Sequence, residues 1–302
     1  MEEGGVGMLH IAVLPWISYG HLSLFLEFSN RISPLGHHVF FLSTPSNLQS
    51  LSLPPSTTTS PNLHLIPLSS FPPSLHSPAD NPDGSSFSLI NKAFNSLAGD
   101  LTGFLQTASP PVNWLLYDYN PYWSLSITKP FNIRTAFLCL LSAATLAFLN
   151  RLESLTGEDS SRASPHHLSI KLDWIPFPTK LSYKSHEARI VYNSMYLPNN
   201  SGVSLSFWLD SSLAVADVII VRSCFELEPD WFLLLEKLYC KPVIPAGHFP
   251  SSVQTKNYKC CWDEAFEWLD KQERRSVVYV AFGSMLHLKK EEVEELTRGV
   301  RA

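Results

Sequence analysis

Leu9-His10-Ile11-Ala12-Val13-Leu14 is a nearly continuous apolar run close to the start of the chain, and Pro15-Trp16-Ile17-Ser18-Tyr19-Gly20 breaks it. An apolar run of this length without polar alternation suits a strand buried on both faces, as in a parallel sheet. Leu22, Phe25, Leu26, Ser29 and Ile32 then recur at helical spacing, and Pro34-Leu35-Gly36 stops the helix. His38-Val39-Phe40-Phe41-Leu42 reads as a second strand. Strand, helix and strand within ~35 residues form a βαβ unit, whose two strands run parallel.

The same alternation continues along the chain. Residues 63–66, 112–117, 133–140, 217–221 and 242–245 read as strands, and residues 87–105, 142–152, 205–213 and 228–238 as helices. Residues 54–82 hold eight of the 23 prolines among Ser and Thr and read as a loop excursion. Residues 157–201 are polar, with scattered Pro and Trp, and show no assignable period. The polar, aperiodic stretch from residue 249 to 261 marks a boundary. Beyond it a helix is expected at 264–269, a strand at 276–282, a turn at Gly283-Ser284 and a helix at 289–301. One strand and one helix cannot close a core. The reading is therefore an α/β Rossmann-like domain over residues 1–248, a linker over 249–262, and the beginning of a second domain over 263–302. The strand of that second domain is expected to stand as an unpaired edge.

Composition excludes several classes. With 302 residues, 45% hydrophobic and 16% charged, the chain has the apolar content for a sizeable core and is not a disordered polymer. A net charge of -5 and a pI near 6.1 argue against a phosphate-backbone binder, so no nucleic-acid partner is expected. The five Cys, at 139, 224, 240, 260 and 261, form no C-x-x-C pair and have no His at zinc-ligand spacing. That pattern reads as a reduced, cytoplasmic protein without a disulfide framework or a bound metal. The acidic, Gly-rich start Met-Glu-Glu-Gly-Gly is not a secretory signal. The uncharged stretch 135–149 falls short of the ~20 helical residues a membrane span needs.

In open α/β sheets, ligands bind beyond the carboxyl ends of the strands. Two titratable residues fall there: His21, after the first strand and in the opening of the first helix, and Asp118, directly after Trp114-Leu115-Leu116-Tyr117. A helix N-terminus disfavours imidazolium, so His21 is expected to stay neutral, as a general base must. Asp118 could bond its other ring nitrogen and stabilise the cation once a proton is taken. The ordinary alternatives stand beside this: a satisfied core histidine among 11 His, and an aspartate that caps a strand end. Gly283-Ser284 offers backbone N–H groups and a hydroxyl to a phosphate, or is a plain turn. Walker, G-x-G-x-x-G, G-x-S-x-G and H-E-x-x-H patterns are all absent.

Four blocks carry a family likeness: Leu14-Pro15-Trp16-Ile17-Ser18-Tyr19-Gly20-His21-Leu22; Trp114 to Trp123 (Trp-Leu-Leu-Tyr-Asp-Tyr-Asn-Pro-Tyr-Trp); Val221-Arg222-Ser223-Cys224-Phe225-Glu226-Leu227-Glu228; and Trp268-Leu269-Asp270-Lys271-Gln272 with Ser276-Val277-Val278-Tyr279-Val280-Ala281-Phe282-Gly283-Ser284. In this order they resemble the plant UDP-dependent glycosyltransferases of GT-B architecture, especially members that add a sugar to an existing glycoside, such as rhamnosyltransferases. The resemblance implies an inverting transfer of a hexosyl or rhamnosyl group from a UDP-sugar to a hydroxyl of a small plant metabolite, a flavonoid or terpenoid glycoside. It implies His21 as base and Asp118 as its partner. It places Ser284 and Gly283 near the nucleotide diphosphate, and Trp16, Tyr19, Gly20, Tyr122 and Ser142 around the acceptor. No metal or cofactor is implied, the UDP-sugar being a co-substrate, and a monomer is expected. The family's second-domain signature box does not occur before Ala302, which reads as a C-terminal truncation. The alternative is thus a catalytically inactive, acceptor-binding fragment.

Overall fold

A computed structural model describes residues 7–51, 60–70, 85–119, 121, 123–149, 163–170, 172, 174–198, 202–249, 263–281 and 288–301. The chain falls into two compact units, Met1–Phe71 with Ile90–Ser251, and Pro72–Leu89 with Ser252–Ala302.

In the first unit, strand β1 (His10–Leu14) leads into helix α1 (Tyr19–Ile32), β2 (His38–Ser43), α2 (Pro45–Ser50) and β3 (Leu63–Pro67). Helix α3 (Ser85–Ser96), which belongs to this unit from Ile90 on, and α4 (Ala98–Thr107) precede β4 (Trp114–Tyr117), α5 (Ser124–Thr128), β5 (Arg134–Cys139) and α6 (Ala143–Leu149). After α7 (Ser185–Met195) and α8 (Leu205–Val215) come β6 (Val218–Val221), α9 (Pro229–Tyr239) and β7 (Val243–Pro245). The seven strands form one sheet in the order β3-β2-β1-β4-β5-β6-β7, and every neighbouring pair is parallel. The expected α/β class and parallel pairing are therefore observed.

The strand order places the site. From β1 the chain steps outward through β2 to β3, then returns to the other side of β1 with β4 and steps outward again through β5 to β7. The direction reverses between β1 and β4, and at such a switch point the loops leaving the two strands diverge and open a crevice.

Helix α1 is held against the sheet by Leu22, Phe25 and Leu26, all buried, which pack with Ile11 and Val13 of β1, Val39 and Phe41 of β2, Leu116 of β4 and Leu138 of β5. Burial of each such side chain contributes about 1.5–3 kcal/mol, so the stripe fixes the helix that carries His21. A 3-10 turn, Ser33–Leu35, ends it at Gly36, whose φ of 93° lies in the left-handed region that glycine adopts without a Cβ clash.

The short helices α2 and α5 have no counterpart in the sequence expectation, and three further elements differ from it. The helix expected at 87–105 is two helices, broken where the Leu97 N–H bonds the Phe94 carbonyl, three residues back, at 3.1 Å. This is a 3-10 contact that interrupts the α ladder. The unassigned polar region contains α7, in which Ala188, Val191, Tyr192 and Met195 recur at helical spacing; only Ala188 is buried, and the short stripe, set among polar neighbours, does not stand out in the sequence. In the second unit, helices α10 (Asp263–Asp270) and α11 (Lys290–Arg301) form as expected, but residues 276–281 join no ladder among the described residues. A strand is defined by its hydrogen-bonded neighbour; without one, Val278 and Tyr279 are exposed. No described helix is long and apolar enough to cross a membrane.

Candidate functional site

Because β1 and β4 are neighbours with Leu14 opposite Tyr117, the residues that follow them emerge side by side. Asp118 leaves β4 directly, and His21 sits in the first turn of α1. Their side chains meet, with Nδ1 of His21 2.5 Å from Oδ2 of Asp118. The carboxylate is buried and held from two further directions. Its Oδ1 accepts the Tyr119 N–H at 2.7 Å, and its Oδ2 accepts the Trp16 N–H at 3.3 Å. An ionised carboxylate only accepts, so Nδ1 carries the shared proton and Nε2 keeps the free lone pair. The tautomer follows from that network.

The electrostatics of His21 differ from the sequence expectation. Burial pulls its proton affinity down, but the Asp118 charge and hydrogen bond push it up further, and the net result lies above the ordinary histidine value. The field of a helix terminus is weaker than that of a carboxylate in hydrogen-bond contact. The pair is therefore a stronger base than a lone imidazole at a helix start. The adjoining Tyr119 is pushed well above its usual range by burial and by Asp118, so its phenol keeps its proton.

The pair opens on a cavity of about 210 Å³ within the first unit. Apart from His21 and Asp118 its walls are Tyr119, Phe137 and Cys139, the Leu140-Leu141 turn after β5, Met195 at the end of α7, and Leu205 and Leu209 of α8. The Cys139 thiol is pushed up to about 12, chiefly by burial, against an opposing backbone hydrogen bond of Leu141 and with the Asp118 and Glu228 charges adding to it. It stays a neutral, apolar wall. The arrangement presents one basic nitrogen and one fixed anion to an otherwise apolar chamber. That suits proton removal from a hydroxyl carried on an apolar body.

The remaining sequence candidates distribute as follows. Trp16 is buried, its ring 5.0 Å from that of Phe94 and 5.7 Å from that of Tyr119, so it backs Tyr119 rather than lining the cavity. Tyr19 and Gly20 are exposed in the first turn of α1, next to His21. Ser142 is half-buried, and its hydroxyl accepts the Thr145 N–H at 3.1 Å at the start of α6. Tyr122, Gly283 and Ser284 lie outside the described residues. Met195, Leu205 and Leu209 were not legible as site residues. They are ordinary apolar positions far along the sequence from His21 and Asp118, and no local pattern marks them as lining a site.

No protein-family model matches the chain. Curated relatives do. The chain is 37% identical over 298 residues to UDP-glycosyltransferase 91C1 of Arabidopsis thaliana, covering 97% of this chain and 64% of that protein. It is 30% identical over 302 residues to soyasaponin III rhamnosyltransferase of Glycine max, covering 97% and 62%. The chain thus spans less than two thirds of the length of these relatives. Among solved structures, Arabidopsis thaliana UGT89C1 complexed with UDP-L-rhamnose superposes with a TM-score of 0.69 at 18% identity, over 98% of this chain and 63% of that one. Medicago truncatula UGT71G1 complexed with UDP-glucose gives 0.68 at 18% identity, over 97% and 64%. The fold is the Rossmann-like α/β fold of the N-terminal domain of GT-B glycosyltransferases. Sequence and fold agree: over 97% of its length the chain is similar to plant UDP-glycosyltransferases at 30–37% identity.

Proposed function

We propose that this protein serves in an inverting glycosyl transfer, holding the acceptor in the His21–Asp118 cavity while a UDP-sugar supplies the donor. Nε2 of His21 takes the proton from an acceptor hydroxyl. The freed oxygen pair attacks the anomeric carbon from the face opposite UDP, the carbon–oxygen bond to UDP breaks, and UDP leaves with that electron pair. Asp118 holds the Nδ1 proton and stabilises the imidazolium that forms. General-base assistance of this kind contributes roughly 10²–10⁴-fold. The reading requires no metal. Its acceptor class is a small plant metabolite with an apolar body, a flavonoid or terpenoid glycoside. The observation that carries it is the 2.5 Å His21–Asp118 contact facing an apolar cavity.

A second reading shares the cavity and differs in outcome: the 302-residue chain holds acceptors and transfers nothing. Its motive is that the chain spans 62–64% of the length of the relatives it matches. The two are separated by one experiment on the chain. Equilibrium dialysis measures binding of a quercetin monoglucoside, and mass spectrometry follows product after UDP-glucose or UDP-rhamnose is added. Binding with turnover that His21→Ala abolishes supports the transferase. Binding without turnover supports the holding module. Turnover that survives His21→Ala removes the base assignment, and a chain that binds no acceptor removes the site.

A further inference from the structure

One buried acid plays no part in the proton transfer and lies in a sequence block with no assigned task. Glu228 ends the stretch Val221-Arg222-Ser223-Cys224-Phe225-Glu226-Leu227-Glu228, at the N-cap position of α9. It does not cap its own helix. Its carboxylate reaches across to the start of α6, 85 residues earlier, where Oε2 accepts the Ala143 N–H at 3.0 Å. Oε1 accepts the neighbouring Ala144 N–H, also at 3.0 Å. The buried Ser223 hydroxyl donates to Oε2 as well. Three donors from two separate turns therefore converge on one carboxylate that is 8% exposed.

What this clamp holds is a wall of the cavity. Cys139, Leu140 and Leu141 immediately precede Ser142 and Ala143, and all three line the cavity beside His21. The near end of this segment is fixed by the sheet, where the Arg222 N–H bonds the Cys139 carbonyl at 2.9 Å. Its far end is fixed by Glu228. Three residues, Leu140, Leu141 and Ser142, lie between Cys139 and Ala143, and their course is set by where the two ends are tied.

We infer that Glu228 is a positioning residue for the acceptor: by pinning the Ala143 and Ala144 amides it sets the Leu140-Leu141 wall of the His21 cavity. The chemistry explains why the side chain is an acid. Two adjacent N–H groups need two acceptor atoms, and a carboxylate offers them, whereas an amide of the same shape offers one acceptor and one NH₂ donor. In Glu228→Gln one N–H therefore faces another donor in a buried place, a costly arrangement that moving the turn relieves.

This inference rests on the reading of the cavity as an acceptor site, and the test separates the two. The first readout is independent of any ligand: amide hydrogen exchange over residues 140–145 in the folded chain. Glu228→Gln is expected to speed exchange at Ala143 and Ala144; unchanged exchange overturns the clamp whatever the protein binds. The second is equilibrium dialysis with a quercetin monoglucoside, well below the melting temperature. Glu228→Gln is expected to weaken binding roughly tenfold, as misplacement of a site wall does. Leu101→Ala, a fully buried change in α4 that destabilises the fold away from the cavity, is expected to leave affinity unchanged. Equal losses in both variants, or none in Glu228→Gln, overturn the positioning role. Should Glu228→Gln fail to fold, Ser223→Ala keeps both amide bonds and removes only the hydroxyl bond to Glu228, and a roughly two- to threefold weakening is expected; no weakening overturns the role. Faster exchange in Glu228→Gln with a wild type that binds nothing removes the acceptor site, and with it the positioning role, while the clamp itself stands.

Discussion

Oδ2 of Asp118 sits 2.5 Å from Nδ1 of His21, across 97 residues of sequence and between two adjacent parallel strands. Two backbone amides, of Tyr119 and Trp16, hold the same carboxylate, so it cannot swing away from the imidazole without breaking both. The fixed acid sets both the tautomer and the basicity of the histidine, and two of the predictions turn on it.

Asp118→Asn removes the charge that raises His21 and leaves the burial that lowers it. The expected outcome is a His21 titration midpoint that falls from above the ordinary value to below it, read from the imidazole resonances by NMR. Where turnover is measurable, the acid limb of the pH–rate profile moves to lower pH and the plateau rate drops about 10²–10⁴-fold. An unmoved midpoint removes Asp118 as the source of the shift.

Stability should follow the same group. His21 binds its proton more tightly in the folded chain than in the unfolded one, where its value is about 6.5. The stabilisation is therefore complete below that value and is lost as pH rises through the raised folded-state value. The margin of wild type over His21→Gln in urea unfolding is expected to be larger at about pH 5.5 than at about pH 8.5. A margin that grows with pH contradicts the direction.

Gly20 has no neighbouring atom within 4 Å of where a Cβ would sit. Gly20→Ala in this helical turn is expected to raise stability by roughly 0.5–1 kcal/mol, measured by urea unfolding. On the reading that Gly20 lies beside the acceptor, the added methyl is expected to weaken acceptor binding at the same time. Unchanged affinity would remove Gly20 from the acceptor contacts.

Met195 is a half-buried wall of the cavity at the end of α7. Met195→Trp places a bulkier ring there, and acceptor affinity is expected to fall by about tenfold or more, while unfolding free energy moves by less than about 1 kcal/mol. Dialysis and urea unfolding on the same preparation check both halves.

The sequence by itself determined the α/β class, the parallel strands and the two strand-end positions that carry His21 and Asp118. Those follow from local rules: apolar runs such as Ile11-Ala12-Val13-Leu14, a helical stripe at Leu22, Phe25 and Leu26, and a glycine stop at Gly36. The tertiary structure decided what local rules do not carry. Strand order is a matter of which buried surfaces meet, and only the neighbouring of β1 and β4 turned two separate strand ends into one acid–base pair. The direction of the His21 shift depended on the distance to Asp118, which no spacing in sequence encodes. Part of the cavity wall came from α7 and α8, and the apolar residues of α7, Ala188, Val191, Tyr192 and Met195, form a stripe too short to show which cavity it faces. The strand expected near residue 280 failed for the same reason seen from the other side: β structure is a property of a pair, and the propensity of Val277-Val278-Tyr279-Val280 makes no ladder without a neighbour.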